Sequence, residues 1–258
     1  MSIQNLSCQE FYEKLNKVIR PSAPISSYEM LFGREKQVHE IEAALYVDGR
    51  HVFIYGDRGV GKTSLAQTVA VKLQTHNDPI FVGCELGSTL SSIVKDILLK
   101  AKVSAELVSE TTWGASVNLM ETGLSAQQKK TEKPVVHEVN SVSSAVMALS
   151  GLSAKHSPVP HIVIDEFDQI ASIEERQNFG RLIKALGDQN LSLKLIFTGI
   201  SDSLHSLIGG HLSSERLVHQ TQLEALPLSG RDEIIDRAFG EFGLTLSQDV
   251  KFKNFRSQ

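Results

Sequence analysis

Residues 51–64 read HVFIYGDRGVGKTS, and residues 65–73 continue as LAQTVAVKL. An apolar run that reads as a buried strand (51–55) passes into a glycine-rich turn. The turn then enters a segment whose Leu65, Val69 and Leu73 repeat at helical spacing. Gly56, Gly61, Lys62 and Thr63 meet the spacing G-x4-G-K-[ST], with Gly59 as a further glycine. Glycines let the backbone bend tightly enough for its N–H groups to point inward at phosphate oxygens. The helix that follows adds uncapped N–H groups and the positive end of its dipole. In this pattern Lys62 supplies a point charge for the β- and γ-phosphates, and Thr63 offers a hydroxyl to Mg2+. The expected nucleotide contacts are therefore Gly56, Asp57, Arg58, Gly59, Val60, Gly61, Lys62, Thr63 and Ser64, with no separate role for Arg58.

A second apolar run, HIVIDEFD (161–168), ends in acidic residues. In open parallel sheets ligands sit beyond the carboxyl ends of strands, so Asp165 and Glu166 can face the glycine-rich loop. Asp165 is expected to hold Mg2+, and Glu166 to orient or deprotonate an attacking water. Asp168 reads as a helix start. A glutamate directly after the metal aspartate points to hydrolysis. An aspartate-bearing NKxD run that would read a guanine base is missing, since NKVI (16–19) precedes the loop and lacks the aspartate. No LSGGQ-like run precedes the second acidic motif.

Outward from these motifs, strand-like runs alternate with helical patterns. Further strands are predicted at 79–83, 193–198 and 217–223. Helices are predicted over 35–47, from Leu90 to Ala101, over 141–152, around Phe179–Leu186, around Leu204–Ile208 and over 229–239, the last as a capped helix. Five near-continuous apolar strands alternating with helices predict an α/β fold, a parallel sheet covered on both faces. Phe11, Tyr12, Leu15, Val18 and Ile19 form a helical face before Pro21 and Pro24, so residues 1–26 read as an N-terminal helix and linker. Residues 27–225 read as the core, with a polar insertion at about 104–140 and a possible hairpin of ASVNL and GLSAQ within it. Residues 226–258 read as a partial helical lid.

The bulk composition sets outer bounds. The chain has 258 residues, enough for a sizeable core, and its formal net charge of −4 does not favour a polyanionic partner. The cationic run QQKKTEK (127–133) reads as a solvated loop, with Trp113, Lys129, Lys130 and Lys133 as candidate contacts for a protein or nucleic acid. Two cysteines, Cys8 and Cys84, form neither a metal-ligand spacing nor a disulfide framework, and the histidines form no ligand set. The start, MSIQNLSCQEFYEK, lacks the pattern of a secretory signal, and no run is long enough to span a membrane. A cytoplasmic setting, or a nuclear one in a eukaryote, is expected.

The chain resembles an AAA+ P-loop ATPase of the origin-recognition-like or STAND-like branch. The pieces that carry the likeness occur in order: FGREKQVHEIEAAL (32–45), the Walker A segment VFIYGDRGVGKTSLAQ, the Walker B segment HIVIDEFDQI, LKLIFTGIS in the place of the fourth strand, and HLSSERLVHQTQLEALPLSGRDEII leading into the lid. The resemblance implies that Thr198 is sensor 1, touching the attacking water or the γ-phosphate. It implies that Arg216 is a finger acting in trans, and that Arg34 lines the adenine side. ATP and Mg2+ are the implied cofactors. The implied partners are further copies of the chain or a larger complex, a protein, and DNA only against the sense of the net charge. Two features depart from the family. The chain ends at KFKNFRSQ soon after the first lid helix, with no sensor 2 assigned to Arg256, and Glu85 stands where an asparagine switch residue is common. The implied activity is ATP hydrolysis that drives assembly or remodelling of a partner. The alternatives are a STAND-like signalling or defence switch with low turnover, and a helper in DNA transposition or replication.

Overall fold

The computed structural model describes residues 6–18, 31–102, 139–209 and 212–246. The expected linker, the hairpin, Trp113, the 129–133 lysines and Arg256 lie outside them. Five parallel strands form one sheet: β1 (His51–Tyr55), β2 (Ile80–Gly83), β3 (His161–Asp165), β4 (Lys194–Gly199) and β5 (Val218–Gln222), in the spatial order β2-β3-β4-β1-β5. The register pairs Ile54 with Thr198 and with Thr221, and Gly83 with Asp165. The carboxyl ends of β1, β3 and β4 therefore lie side by side, which is where the sequence motifs require them.

Side chains alternate between the two faces of each strand, as the pleat demands. Val52, Ile54, Val163 and Ile196 pack with helices α2 (Glu35–Tyr46) and α3 (Lys62–Leu73) on one face. Phe53, Ile162, Ile164, Leu195 and Phe197 face the other way, toward α4 (Leu90–Lys100), α5 (Val142–Ser150), α7 (Ile173–Asp188) and α8 (Ser201–Ile208). Both sheet faces are thus dry, which is why the central strands read as continuous apolar runs. On the second face Phe53, Phe167, Phe179 and Phe197 form a fully buried aromatic group, mostly edge-to-face, with centroids 5.2–6.1 Å apart.

Helix ends follow local chemistry. Thr89 and Ser141 close capping boxes at the starts of α4 and α5, and Ser172 caps α7. The structure differs from the sequence reading at three places. Asp168 does not start a helix; it lies in a 3-10 turn, Phe167–Gln169, made where Phe167 is pulled into the aromatic group. The helix expected over 141–152 divides at Gly151 into α5 and the short α6 (Leu152–Lys155). A short helix, α9 (Leu212–Leu217), precedes β5 where the sequence pattern predicts none.

Helix α10 (Leu228–Gly240), in the segment expected to form the lid, has no side-chain cap, and only Gly230 and Ala238 on it are buried. Its far end receives α1 (Cys8–Val18): Phe11 stacks on Phe242 at 5.1 Å, and the Lys14 ammonium donates to the Glu241 carbonyl at 3.5 Å. The N-terminal helix thus packs at the carboxyl end of α10.

The amino ends of three neighbouring strands carry buried basic side chains. His51 Nδ1 accepts the Leu195 N–H, His161 bonds to Gln74 Oε1, and the Lys194 ammonium donates to the Val47 carbonyl. Burial, then the Lys194 charge, pushes His51 down to about 3 and His161 down to about 4. Both rings are neutral in the fold, whereas the unfolded chain protonates them below about pH 6.5. Their stabilisation is complete above that pH and is lost as the pH falls toward the folded values. Urea unfolding should show a loss of about 2–4 kcal/mol between about pH 7 and pH 5. A His51→Asn/His161→Gln variant should lose most of that slope.

Candidate functional site

The loop between β1 and α3 borders a cavity of about 530 Å³ at the carboxyl end of the sheet. Arg58, Gly59, Gly61, Lys62 and Thr63 line it from the loop, and Asp165, Glu166 and Thr198 from the neighbouring strand ends. Gly56, Asp57, Val60 and Ser64 belong to the same loop and helix start without lining the cavity. The glycines serve two different needs. Gly59 and Gly61 turn the chain through left-handed backbone, at φ 83° and 95°, and a Cβ on either would meet open space. Gly56 is needed for close approach: a Cβ there would lie 2.1 Å from the Leu223 carbonyl oxygen, because the Leu223 N–H donates to the Tyr55 carbonyl at 2.7 Å. No side chain caps α3 at Gly61, and a helix start favours a negatively charged partner. The Lys62 ammonium folds across the loop and donates to the carbonyls of Gly56 (2.9 Å) and Asp57 (2.7 Å).

One carboxylate joins the other half of the site. The Thr63 hydroxyl donates to both oxygens of Asp165, at 2.9 and 3.0 Å. The Thr198 hydroxyl, on a residue 1% exposed, also donates to Asp165 and accepts the Glu166 N–H at 3.1 Å. Thr198, the expected sensor 1, lies near the end of β4 and lines the cavity, with its own hydrogen committed to Asp165. Glu166 adopts left-handed backbone (φ 54°, ψ 44°), which costs a non-glycine residue about 1–2 kcal/mol. Its side chain is exposed at the cavity. Such strain persists where the surroundings over-determine it. Here the Thr198 bond, the Gln169 N–H donated to the Glu166 carbonyl at 2.8 Å, and buried Phe167 hold it.

Three lining residues, Asp168, Gln169 and Ile200, are not marked as site residues by the sequence pattern. Neither is Arg176, whose guanidinium donates to the carbonyls of Ile170 (2.7 Å) and Asp168 (2.9 Å) and braces the turn. The last acid of DEFD is the available signal for Asp168, whereas nothing local marks Arg176. Cys84, buried at the end of β2, has its thiol pushed up to about 12 by burial and by the charges of Asp165, Asp168 and Glu166. It stays protonated and inert. Glu85, the expected switch position, is exposed and its N–H is held by Ser88.

Two other expected residues do not line the cavity. Arg34 is buried, with its guanidinium on the carbonyls of Val60 and Glu224. Arg216 is exposed on α9, at the amino edge of β5. A second cavity, of about 550 Å³, lies between the starts of α4, α5 and α7. Amides at those starts are already taken by Thr89, Ser141 and Glu175, so nothing there calls for a ligand.

Paired hydroxyl and carboxylate oxygens are the donors Mg2+ prefers. Among the described residues no cluster of three or more His, Cys, Asp or Glu forms a closed metal cage. A Mg2+ held by Thr63 and Asp165 would therefore complete its shell from phosphate oxygens and water, which fits a nucleotide site.

The family model for the AAA ATPase domain matches residues 30–196. The chain belongs to the AAA ATPase family. Solved structures agree on the fold of this P-loop ATPase. The Walker-type ATPase PABY2304 of Pyrococcus abyssi matches at a TM-score of 0.62 and 18% identity, over 91% of this chain and 65% of that one. Cdc6p of Pyrobaculum aerophilum matches at 0.55 and 16% identity, over 87% and 53%. The ORC2 protein of Aeropyrum pernix matches at 0.55 and 13% identity, over 87% and 55%. The core is thus folded as in these three structures, and the chain spans between half and two-thirds of their length. No curated protein sequence matches it. Among the described residues no helix is long and apolar enough to cross a membrane.

Gly56→Ala should destabilise the ATPase by about 3 kcal/mol or more, because backbone meets backbone. Gly59→Ala, strained only by its dihedral, should cost about 1–2 kcal/mol. Urea unfolding of the two variants side by side measures the difference.

Proposed function

We propose that this chain is the Mg2+-dependent ATP-hydrolysing core of an assembly that remodels a protein or nucleic-acid partner in the cytoplasm, or in the nucleus of a eukaryote. The observation that carries this reading is the shared carboxylate: Asp165 joins Thr63 at the phosphate loop to Thr198, and Thr198 in turn holds the backbone of Glu166. The loop binds the phosphates, with Lys62 exchanging two neutral carbonyls for charged oxygens, a stronger bond type. Mg2+ bound by Thr63 and Asp165 would neutralise charge on the β- and γ-phosphates. Glu166 takes a proton from the attacking water as its oxygen bonds to the γ-phosphorus. The bond to the β-phosphate oxygen breaks, leaving ADP and inorganic phosphate.

The position of Arg216 supports the oligomer. It precedes β5, whose first residue pairs with the first of β1, so it stands at the opposite edge of the sheet from its own phosphate loop. A strand of this length separates those edges by roughly 17 Å. Such an arginine serves a neighbour's nucleotide rather than its own. A second reading, a slowly cycling nucleotide switch, draws support from the lid helix, on which only Gly230 and Ala238 are buried.

Lys62→Ala should weaken ATP binding by about 10- to 100-fold in calorimetric titration. Glu166→Gln should bind ATP as the native chain does while kcat falls by about 10²- to 10⁴-fold; normal turnover would place the base elsewhere. Arg216→Ala should lower kcat only at concentrations where light scattering shows assembly. Equal loss in dilute monomer would refute a role in trans. Turnover that stays near zero at every concentration, with tightly held nucleotide, would favour the switch.

A further inference from the structure

Arg34 is the motif residue that the site leaves unused. It stands just before α2, only 5% exposed. One of its terminal nitrogens, Nη2, donates to the Val60 carbonyl at 3.1 Å and to the Glu224 carbonyl at 2.6 Å. No carboxylate of the described residues pairs with it. Burying a guanidinium against neutral acceptors is expensive, and a packed apolar residue would serve stability better. Both acceptors are placed where motion matters. Val60 lies between the left-handed Gly59 and Gly61 of the phosphate loop. Glu224 lies in the link from the end of β5 to the start of α10.

The neighbouring glycine meets the helix that this link enters. A Cβ on Gly33 (φ 64°) would lie 3.0 Å from the Gly230 Cα; one on Gly230 would lie 3.1 Å from Leu226 Cδ1 and 3.2 Å from the Gly33 Cα. Backbone therefore meets backbone where α10 rests on the core. Gly33 bears on the lid helix, and Arg34 on its linker and on the loop.

We propose that Arg34 is a positioning residue that straps the phosphate loop to the pivot of α10, so that phosphate binding moves the lid helix. This rests on the reading of the loop as an ATP site. The coupling is mechanical. The Val60 carbonyl and the Gly61 N–H belong to one rigid peptide plane. A phosphate that recruits that N–H tilts the plane, and the tilt displaces the carbonyl that Arg34 holds. The same nitrogen carries the displacement to Glu224. Gly33 and Gly230 supply the close contact about which α10 turns.

Hydrogen exchange by mass spectrometry on the full chain, with and without Mg2+ and a non-hydrolysable ATP analogue, tests the strap. In the native chain residues 56–62 and 224–240 should gain protection together. In Arg34→Met the loop should still gain protection, 224–240 should not, and the analogue should bind about 10-fold more weakly. Should Arg34→Met fail to fold, Gly230→Ala decides the matter. Alanine is favoured over glycine inside a helix, so lost coupling there comes from crowding against Gly33 and Leu226. A merely structural arginine would lower the melting temperature and leave both segments responding as in the native chain, which would overturn the proposal. No response at residues 56–62 of the native chain would instead refute the ATP site, and the strap with it.

Discussion

Three chain segments far apart in sequence meet on the carboxylate of Asp165. Thr63 reaches it from the first turn of α3, and Thr198 from the end of β4. Thr198 also holds the backbone of Glu166, so the residue expected to activate water is tied through Thr198 to the carboxylate expected to bind metal. The proposed chemistry depends on that junction. It exists only because the strand order places β4 between β1 and β3 and ends all three at one level. A shift of one residue in either pairing would turn Asp165 or Thr198 to the other face of the sheet.

Apolar packing keeps the junction in register. Phe53, Phe167, Phe179 and Phe197 bring β1, β4, α7 and the turn after β3 into one buried aromatic group. Phe167 stands between Glu166 and Asp168, so its burial sets where both acids emerge. The left-handed backbone of Glu166 is the local consequence: strand, turn and buried ring over-determine it. Arg176 then ties off the free carbonyls of that turn. Core packing and site geometry are here one arrangement seen from two sides.

Much of this is legible along the chain because its signals are local. HVFIY and HIVID are strands at the bounds their apolar runs suggest, and the Gly56–Thr63 spacing marks the cradle by residue type and position alone. Less legible are features set by distant backbone. The bonds of Arg34 run to carbonyls at positions 60 and 224, which no side-chain pattern announces. The turn at Phe167–Gln169 reads as a helix start, because an aspartate suits that place and the pull of the aromatic group is tertiary. The glycine-rich spacing marks Gly56 as essential, but the Leu223 carbonyl beside it, rather than a ligand alone, explains why.

The central claim is that the loop after β1 encloses the phosphates of a nucleotide, with Thr63 and Asp165 on its metal. A crystal structure with Mg2+ and a non-hydrolysable ATP analogue tests it most directly. The Lys62 ammonium should have left the carbonyls of Gly56 and Asp57 for the terminal phosphates, with Mg2+ beside Thr63 and Asp165. A structure with the analogue bound elsewhere, and Lys62 still donating to those two carbonyls, would contradict it.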